Sequence, residues 1–241
     1  MKKIILIIFL LFSFTAGLVY CDTLSSHFDK ANTLFEEKDY IKALDLYLKI
    51  YEQGFYSKDL FYNISNTHYR LGNIGQSLRY IEKAYRISPR DSDIRFNRKL
   101  LYTNTGQTEN VWESIIGFLS INELSIICLV LVSLIFIFLI ISKFITKRWL
   151  YWVKFGVISL TIIFSVWLYA SYLIFYKNPY GVVLPQEINA YSGPSLEQTI
   201  SFTVPAGQKI VILGKSNGWL DIGVKKDRLR GWIQEQEIGI I

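Results

Sequence analysis

Few residues in this chain have the chemistry of a nucleophile, a general base or a metal ligand. The 241 residues include two cysteines and two histidines. Cys128 lies inside an apolar run, Cys21 follows an N-terminal apolar segment, and neither histidine has an evident partner. A wall hydrolase would need a Cys/His pair or paired acids. We therefore expect no catalytic residue, no cofactor and no metal, and the composition disfavours a disulfide framework or a Cys/His metal cluster.

The composition indicates a folded chain with membrane segments. Hydrophobic residues make up 51% and aromatic residues 16% of the chain, and the mean hydropathy is +0.27. These values exclude a disordered chain and argue against a fully soluble one. The net charge of +6 is spread out, and residues 22–110 hold 13 basic and 12 acidic side chains. Because no segment is a basic domain, nucleic acid is not an expected partner.

The N-terminus has the layout of a secretory signal peptide, which we place at residues 1–21. Lys2 and Lys3 precede an apolar run from Ile4 to Val19. A short positive head before such a run is typical of export signals. The end of the segment leaves three alternatives open, which are lipidation of Cys21, cleavage by an ordinary signal peptidase, and an uncleaved anchor.

Two long uncharged runs predict transmembrane helices at residues 124–142 and 155–176. Neither the run from Leu124 to Ile141 nor the run from Phe155 to Tyr176 contains a charged residue. At a rise of about 1.5 Å per residue, each run covers most of a bilayer core. The alternative is a pair of helices buried in a globular protein.

The charges between the two runs predict the topology. Residues 143–154 include Lys143, Lys147 and Arg148 and no acid, and positive loops stay in the cytoplasm. Both long polar segments then lie outside, which places the chain in a bacterial inner membrane with periplasmic domains, or in a lumenal orientation in a eukaryote. Residues 111–123 are predicted to form an interfacial helix, with a simple extension of the first span as the alternative.

The polar segment before the first span contains an internal repeat. The stretch Asp39–Tyr47 recurs 34 residues later as Asn73–Ile81. The pattern resembles the tetratricopeptide repeat, whose unit is a pair of helices. The resemblance implies an all-α domain at residues 22–105, with units at about 27–60 and 61–94 and a capping helix at 92–103.

In the tetratricopeptide family, small residues lie where the two helices of a unit touch. Here these places are held by Ala31, Ala43, Ser65, Ser77 and Ala84. Two positions depart from the family pattern, because Lys38 stands where a turn glycine is usual and Gly75 lies within a predicted helix.

Such repeats bind peptides in a groove lined by the first helix of each unit. The resemblance implies that this groove is lined by Asn32, Tyr62, Asn66, Tyr69 and Arg70. Their amides and one cation suit an extended peptide segment, and the alternative is an ordinary solvated face. We expect His68 to pack where the family has an aromatic residue, with no ligand or catalytic role.

Short strand-like runs alternate with turn residues after the second span and predict a small all-β barrel at residues 181–241. The turn Gly193-Pro194-Ser195 and the pairs Gly218-Trp219 and Gly231-Trp232 resemble a bacterial SH3 domain. That family binds cell-wall peptides or protein segments. Tyr191, Trp219 and Trp232 are its hallmark residues here, and we expect both tryptophans to be core residues first and a binding platform second.

The basic stretch between the two tryptophans is a further feature of the predicted barrel. It is predicted to be a solvated hairpin, with attraction to anionic lipid as the alternative. Its cations are Lys225, Lys226, Arg228 and Arg230.

The order of these parts resembles the E-type membrane protein of Bacteroides aerotolerance operons. The resemblance implies partners among envelope membrane proteins and a link to stress tolerance, but it supplies no catalytic residues. We therefore expect a multi-domain membrane protein that serves as a non-enzymatic scaffold. The alternative is a sensor whose SH3-like barrel binds peptidoglycan.

Overall fold

The computed structural model describes residues 25–144, 147–177, 180–224 and 229–241. The predicted signal peptide at residues 1–21, with Cys21, lies outside the described residues, and so do Lys225, Lys226 and Arg228 of the basic hairpin.

Five helices form the N-terminal part. They are α1 (25–36), α2 (Tyr40–Glu52), α3 (Lys58–Arg70), α4 (Ile74–Ile87) and α5 (Ser92–Asn104). Asp39, Ser57 and Asp91 begin α2, α3 and α5, because each side chain accepts a hydrogen bond from an unpaired backbone N–H of the first turn. Consecutive helices from α2 to α5 pack against one another.

The 34-residue period is visible in the turns that end α1, α3 and α5. Lys38, Gly72 and Gly106 are 34 residues apart and all have left-handed backbones, with φ of 65°, 78° and 63°. A lysine in this conformation costs about 1 kcal/mol relative to glycine. The first turn therefore keeps the shape of the other two although Lys38 replaces the usual glycine.

Small residues allow the helices of this part to approach closely. Five of them are at most 1% exposed, as the sequence predicted: Ala31, Ala43, Ser65, Ser77 and Ala84. The hydroxyl of Ser65 donates a hydrogen bond of 2.7 Å to the carbonyl oxygen of Ser77, which ties α3 to α4.

Three helices follow this part. They are α6 (Val111–Ile116), α7 (Ile121–Ile141) and α8 (Arg148–Tyr172), and α8 continues as a π-helical turn over Leu173–Lys177. By length and composition, α7 and the extended α8 are apolar enough to cross a membrane. They pack along each other, and most of their large apolar side chains stay exposed.

Two predicted boundaries in this region are wrong. The helix predicted at 111–123 is divided, because Ser120 and Glu123 form a capping box that begins α7 at Ile121. The loop predicted at 143–154 is largely helical, because α8 begins at Arg148, ahead of its uncharged run.

The C-terminal part is one antiparallel sheet of seven strands among the described residues. The strands are β1 (Tyr180–Val183), β2 (Glu187–Tyr191), β3 (Ile200–Pro205), β4 (Lys209–Ser216), β5 (Trp219–Val224), β6 (Leu229–Gln234) and β7 (Ile238–Ile240). Their order is β3-β2-β6-β5-β4-β1-β7. Its core includes Ile188, Ile210, Ile222 and Ile233. The strand-like runs of the sequence, at 182–184, 187–191, 209–213, 219–222 and 231–233, correspond to β1, β2, β4, β5 and β6 and do not include β3 or β7.

The sheet is docked on the helices, and α4 contacts both β1 and β7. Val182 of β1 is fully buried in the hydrophobic core of the helices. A Cβ atom at Gly75 of α4 would lie 2.2 Å from the carbonyl oxygen of Val183. Gly75, which departs from the repeat pattern, is therefore required by the close approach of the β1 backbone.

Candidate functional site

A groove opens between the first helices of successive helix pairs, and we call it the helical groove. Its volume is about 290 Å³, and its lining comes from α1, α3, α4 and α5. The lining residues are Phe35, Tyr62, Asn66, Tyr69, Arg70, Ser77, Asn97, Leu100 and Leu101. Four of the five candidate peptide-binding residues, all except Asn32, thus lie together in this groove.

Paired asparagines form a wall that joins the first helices of successive helix pairs, and Asn66 and Asn97 of this wall line the helical groove. The Nδ2 group of Asn63 donates to Oδ1 of Asn32 at 2.9 Å, and the Nδ2 group of Asn97 donates to Oδ1 of Asn66 at 2.8 Å. The two bonds are related by the same 34-residue offset, since Asn66 follows Asn32 and Asn97 follows Asn63 by 34 positions. They join α1 to α3 and α3 to α5.

Asn32 has a structural role in this wall. Its Oδ1 atom also accepts a hydrogen bond of 2.7 Å from the hydroxyl of Tyr47, whose pKa burial raises to about 12. Asn63 and Asn97 were not predicted to be part of the wall. The signal was present, because Phe96-Asn97 follows Tyr62-Asn63 at the repeat distance.

The polar groups of the groove are only partly engaged. The hydroxyl of Tyr62 accepts from Asn97 at 3.1 Å, and that of Tyr69 accepts from Asn104 at 3.4 Å. Within the part of the chain that the structure describes, the exposed Arg70 has no ion-pair partner and the Nδ2 group of Asn66 has no acceptor. The groove therefore offers amide donors, aromatic surface and one cation to a ligand.

His68 lies beneath this surface and has a packing role, as predicted. Its ring is 7% exposed and stacks on Tyr80, with ring centroids 5.7 Å apart. Burial, and to a smaller extent the nearby Arg79, lowers the pKa of His68 to about 4. The imidazole is therefore neutral at neutral pH.

The outer face of the sheet brings together the three hallmark aromatic residues. Trp232 of β6 stands in register between Tyr191 of β2 and Asp221 of β5. The rings of Tyr191 and Trp219 meet edge to face with centroids 5.6 Å apart. Arg230 closes this face with two hydrogen bonds to the Asp221 carboxylate, at 3.0 and 2.6 Å. We call these residues the aromatic face.

The expectation that both tryptophans are core residues is wrong. Trp219 and Trp232 are only partly buried, whereas their neighbours Leu220 and Ile233 are at most 2% exposed. Successive side chains of a strand point to opposite faces, so each tryptophan lies outside when its neighbour lies in the core. The glycine–tryptophan pattern identifies the strands but not which face the ring takes.

The helices and the sheet are joined by a buried ion cluster. Glu82 of α4 accepts from Arg98 Nε at 2.6 Å and from the hydroxyl of Tyr102 at 2.9 Å. Lys209 of β4 lies 3.8 Å from Glu82 and 2.8 Å from Glu113 of α6. Burial would raise the pKa of Glu82, but Arg98 and Lys209 outweigh it and lower this pKa to about 2.

Among the described residues, the acids of the ion cluster are not grouped as metal ligands. In residues 25–144, 147–177, 180–224 and 229–241, no group of His, Cys, Asp or Glu side chains could hold a metal ion. Each acid of the cluster is instead bound by a cation, so its role is to hold the two parts together.

Comparison with known proteins identifies one part of the chain. Residues 187–238 match the family model of the bacterial SH3 domain. No curated protein matches the chain. The matched segment runs from β2 to the start of β7 and omits β1, the strand that enters the helical core. The docking on the helices therefore uses residues beyond the matched domain.

Proposed function

From the bacterial SH3 domain at residues 187–238, we propose that the chain is a non-enzymatic membrane scaffold. In this proposal α1 to α5 form a tetratricopeptide repeat domain, and α7 and α8 span a bacterial inner membrane. Residues 1–21 act as the export signal, and both recognition modules lie in the periplasm.

The contacts between the modules support a common side of the membrane. Arg86 of α4 donates to the carbonyl oxygen of Ile241 at 3.0 Å, and its guanidinium lies over the rings of Phe175 and Tyr176 at the end of α8. Arg90 pairs with Glu123 in the first turn of α7. The helical part and the sheet thus meet at one end of the pair formed by α7 and α8. The basic residues Lys143, Lys147 and Arg148 lie at the other end of this pair.

The observation that carries the proposal is the helical groove. Its amide donors suit the carbonyl groups of an extended peptide, and Arg70 suits a carboxylate. The sheet covers α4 and leaves the groove accessible. The ligand in this proposal is a periplasmic segment of another envelope membrane protein, in a complex of the aerotolerance type.

A photo-crosslinking amino acid at Tyr69 tests this binding. We expect it to capture one defined segment of a membrane protein in intact cells. The matched control is the same group at Tyr56, which is 65% exposed and outside the groove. Arg70→Ala should weaken the capture at position 69. Equal capture at both positions, or capture unaffected by Arg70→Ala, would contradict a role of the groove.

Cysteine labelling tests the topology. A cysteine replacing the exposed Glu197 should react with a membrane-impermeant maleimide in cells whose outer membrane has been permeabilised. A cysteine replacing Lys143 should not react under the same conditions. The unmodified chain serves as the blank. Labelling at Lys143→Cys alone would reverse the proposed orientation.

The aromatic face favours a second function, which is binding of peptidoglycan. Aromatic rings beside an Arg–Asp pair offer stacking surface and hydrogen bonds to sugar and stem peptide. The detergent-solubilised full chain should then sediment with purified cell wall, and Trp232→Ala should reduce the bound fraction. Sedimentation that is absent, or unchanged by Trp232→Ala, would remove this function and leave the helical groove untouched.

A further inference from the structure

A second cleft lies beside α5 and shares Arg98 with the cluster of Glu82, and we call it the basic cleft. Its volume is about 400 Å³. One wall is a stripe of α5, formed by Ser92, Arg95, Phe96 and Lys99, and the other includes Ser114 of α6 and Phe118. Arg90 closes one end.

The cleft carries positive charge that the chain does not neutralise. Arg98 and Glu109 line it as an ion pair with a distance of 3.0 Å, and Arg90 is paired with Glu123. Arg95 and Lys99 have no ion-pair partner among the described residues. They stand four positions apart on α5, where like charges destabilise a helix, so an anion between them would relieve this repulsion.

The position of the cleft relates it to the apolar helices. Arg90 and Phe118 contact each other, and Arg90 also binds Glu123 in the first turn of α7. The rings of Phe96 and Phe118 are 69% and 54% exposed, and Trp112 on α6 is 69% exposed. Cations above a rim of exposed rings match the boundary between lipid phosphate and acyl chains.

We propose that the basic cleft binds the phosphate of an anionic phospholipid through Arg95 and Lys99, with Phe96 and Phe118 against its glycerol and acyl region. The inference rests on the proposed crossing of the membrane by α7 and α8. The ligand would come from the lipid leaflet on the same side of the membrane as α1 to α5 and the sheet. A bound lipid would join α5, α6 and the start of α7.

Native mass spectrometry of the full chain from detergent tests this proposal. The chain is incubated with equal amounts of phosphatidylglycerol and phosphatidylcholine. We expect a preference for phosphatidylglycerol that falls about 25-fold in R95Q/K99Q, because each of the two cations near an anionic lipid contributes about fivefold. The matched control is K30Q/K49Q, which removes two exposed cations from α1 and α2 and should leave the preference unchanged.

Three outcomes would overturn the proposal. An equal loss of the preference for phosphatidylglycerol in both double variants would mean that the lipid is attracted by the overall charge of the chain. Displacement of phosphatidylglycerol by millimolar inorganic phosphate would mean a site for free phosphate. Absence of any lipid preference in the unmodified chain would mean no site.

A parallel alkaline wash of membranes separates this inference from the proposed function. If the wash releases the unmodified chain, the membrane anchor is wrong, whatever the lipid preference. If all variants resist the wash and only R95Q/K99Q loses phosphatidylglycerol, anchor and cleft are both supported.

Discussion

The helical groove and the α4 face of the same helices use polar residues in opposite ways. On the α4 face, Glu82 and Arg98 are at most 3% exposed and paired with each other, and Lys209 of the sheet lies 3.8 Å from Glu82. In the groove, Arg70 is exposed and Asn66 keeps donors without a partner in the described chain. Charged residues thus mark an internal joint where they are paired and buried, and they mark the binding surface of the proposed function where they are neither.

The largest effect on stability should follow from a substitution at the centre of this joint, which is the buried ion cluster around Glu82. Glu82→Ala leaves Arg98 and Lys209 without their shared carboxylate and should cost about 3–5 kcal/mol of unfolding free energy. Urea denaturation in detergent measures this. Glu52→Ala, at an exposed position of α2, should cost less than about 0.5 kcal/mol, and a similar loss in both variants would contradict the joint.

The joint should also have its own acid dependence. Because the pKa of Glu82 is lowered to about 2, the ionised carboxylate stabilises the folded chain at any pH above the ordinary pKa range of a glutamate. This stabilisation is lost as the pH falls through that range towards about 2.

A smaller effect is expected where the sheet approaches α4 most closely. Gly75→Ala places a methyl group against the backbone of β1 and should cost about 1–3 kcal/mol, measured as a lower midpoint of thermal unfolding. Gly156→Ala is the control, because Gly156 is also helical and has no neighbour within 4 Å of an added Cβ. An unchanged midpoint for Gly75→Ala would mean that the sheet is not held against α4.

His68 lies in the layer between the two faces, and its protonation should loosen both. Its pKa in the folded chain, about 4, is below the ordinary value of about 6.5. The stability from neutral His68 is therefore complete above pH 6.5 and lost as the pH falls through 4, by about 1–3 kcal/mol. The free energy of unfolding, measured from pH 7 to 4, should lose this pH-dependent component in His68→Phe. It should keep the component in His27→Gln.

The smallest effect on stability should come from the groove. Arg70→Ala removes an exposed side chain and should change the unfolding free energy by less than about 0.5 kcal/mol, while it weakens the capture of a ligand. Denaturation and crosslinking on the same preparation measure both. A large loss of stability would move Arg70 from the binding surface to the structural residues.

Much of the helical part follows from local sequence signals. The 34-residue offset and the capping residues Asp39 and Ser57 locate α2 and α3 closely, because caps and turns act over a few residues. Two uncharged runs likewise indicate α7 and α8. The strand β7 was not predicted because it has only three residues and pairs with β1, far along the chain. The strand β3 was overlooked although its apolar residues Ile200, Phe202 and Val204 alternate as in a strand.

The joint between the two parts could not be predicted in the same way. Lys209 and Glu82 are separated by both apolar helices, and no local pattern reports that they meet. Gly75 was the one local sign, since a glycine inside a helix needs a reason. Four of the five groove residues came together because they lie on one helix, α3, whereas Asn32 of the preceding unit does not line the groove. The tryptophans were misplaced because a strand leaves each side chain a choice of two faces.

Val182 has a consequence for how the protein is made. The valine fills the core of helices whose own residues end before position 105, but the ribosome adds it only after both apolar helices have been synthesised. Until then the hydrophobic core of the N-terminal helices lacks the Val182 side chain beside α4. A chain cut short after α8 would therefore lose the last piece of its first domain, together with the domain that follows.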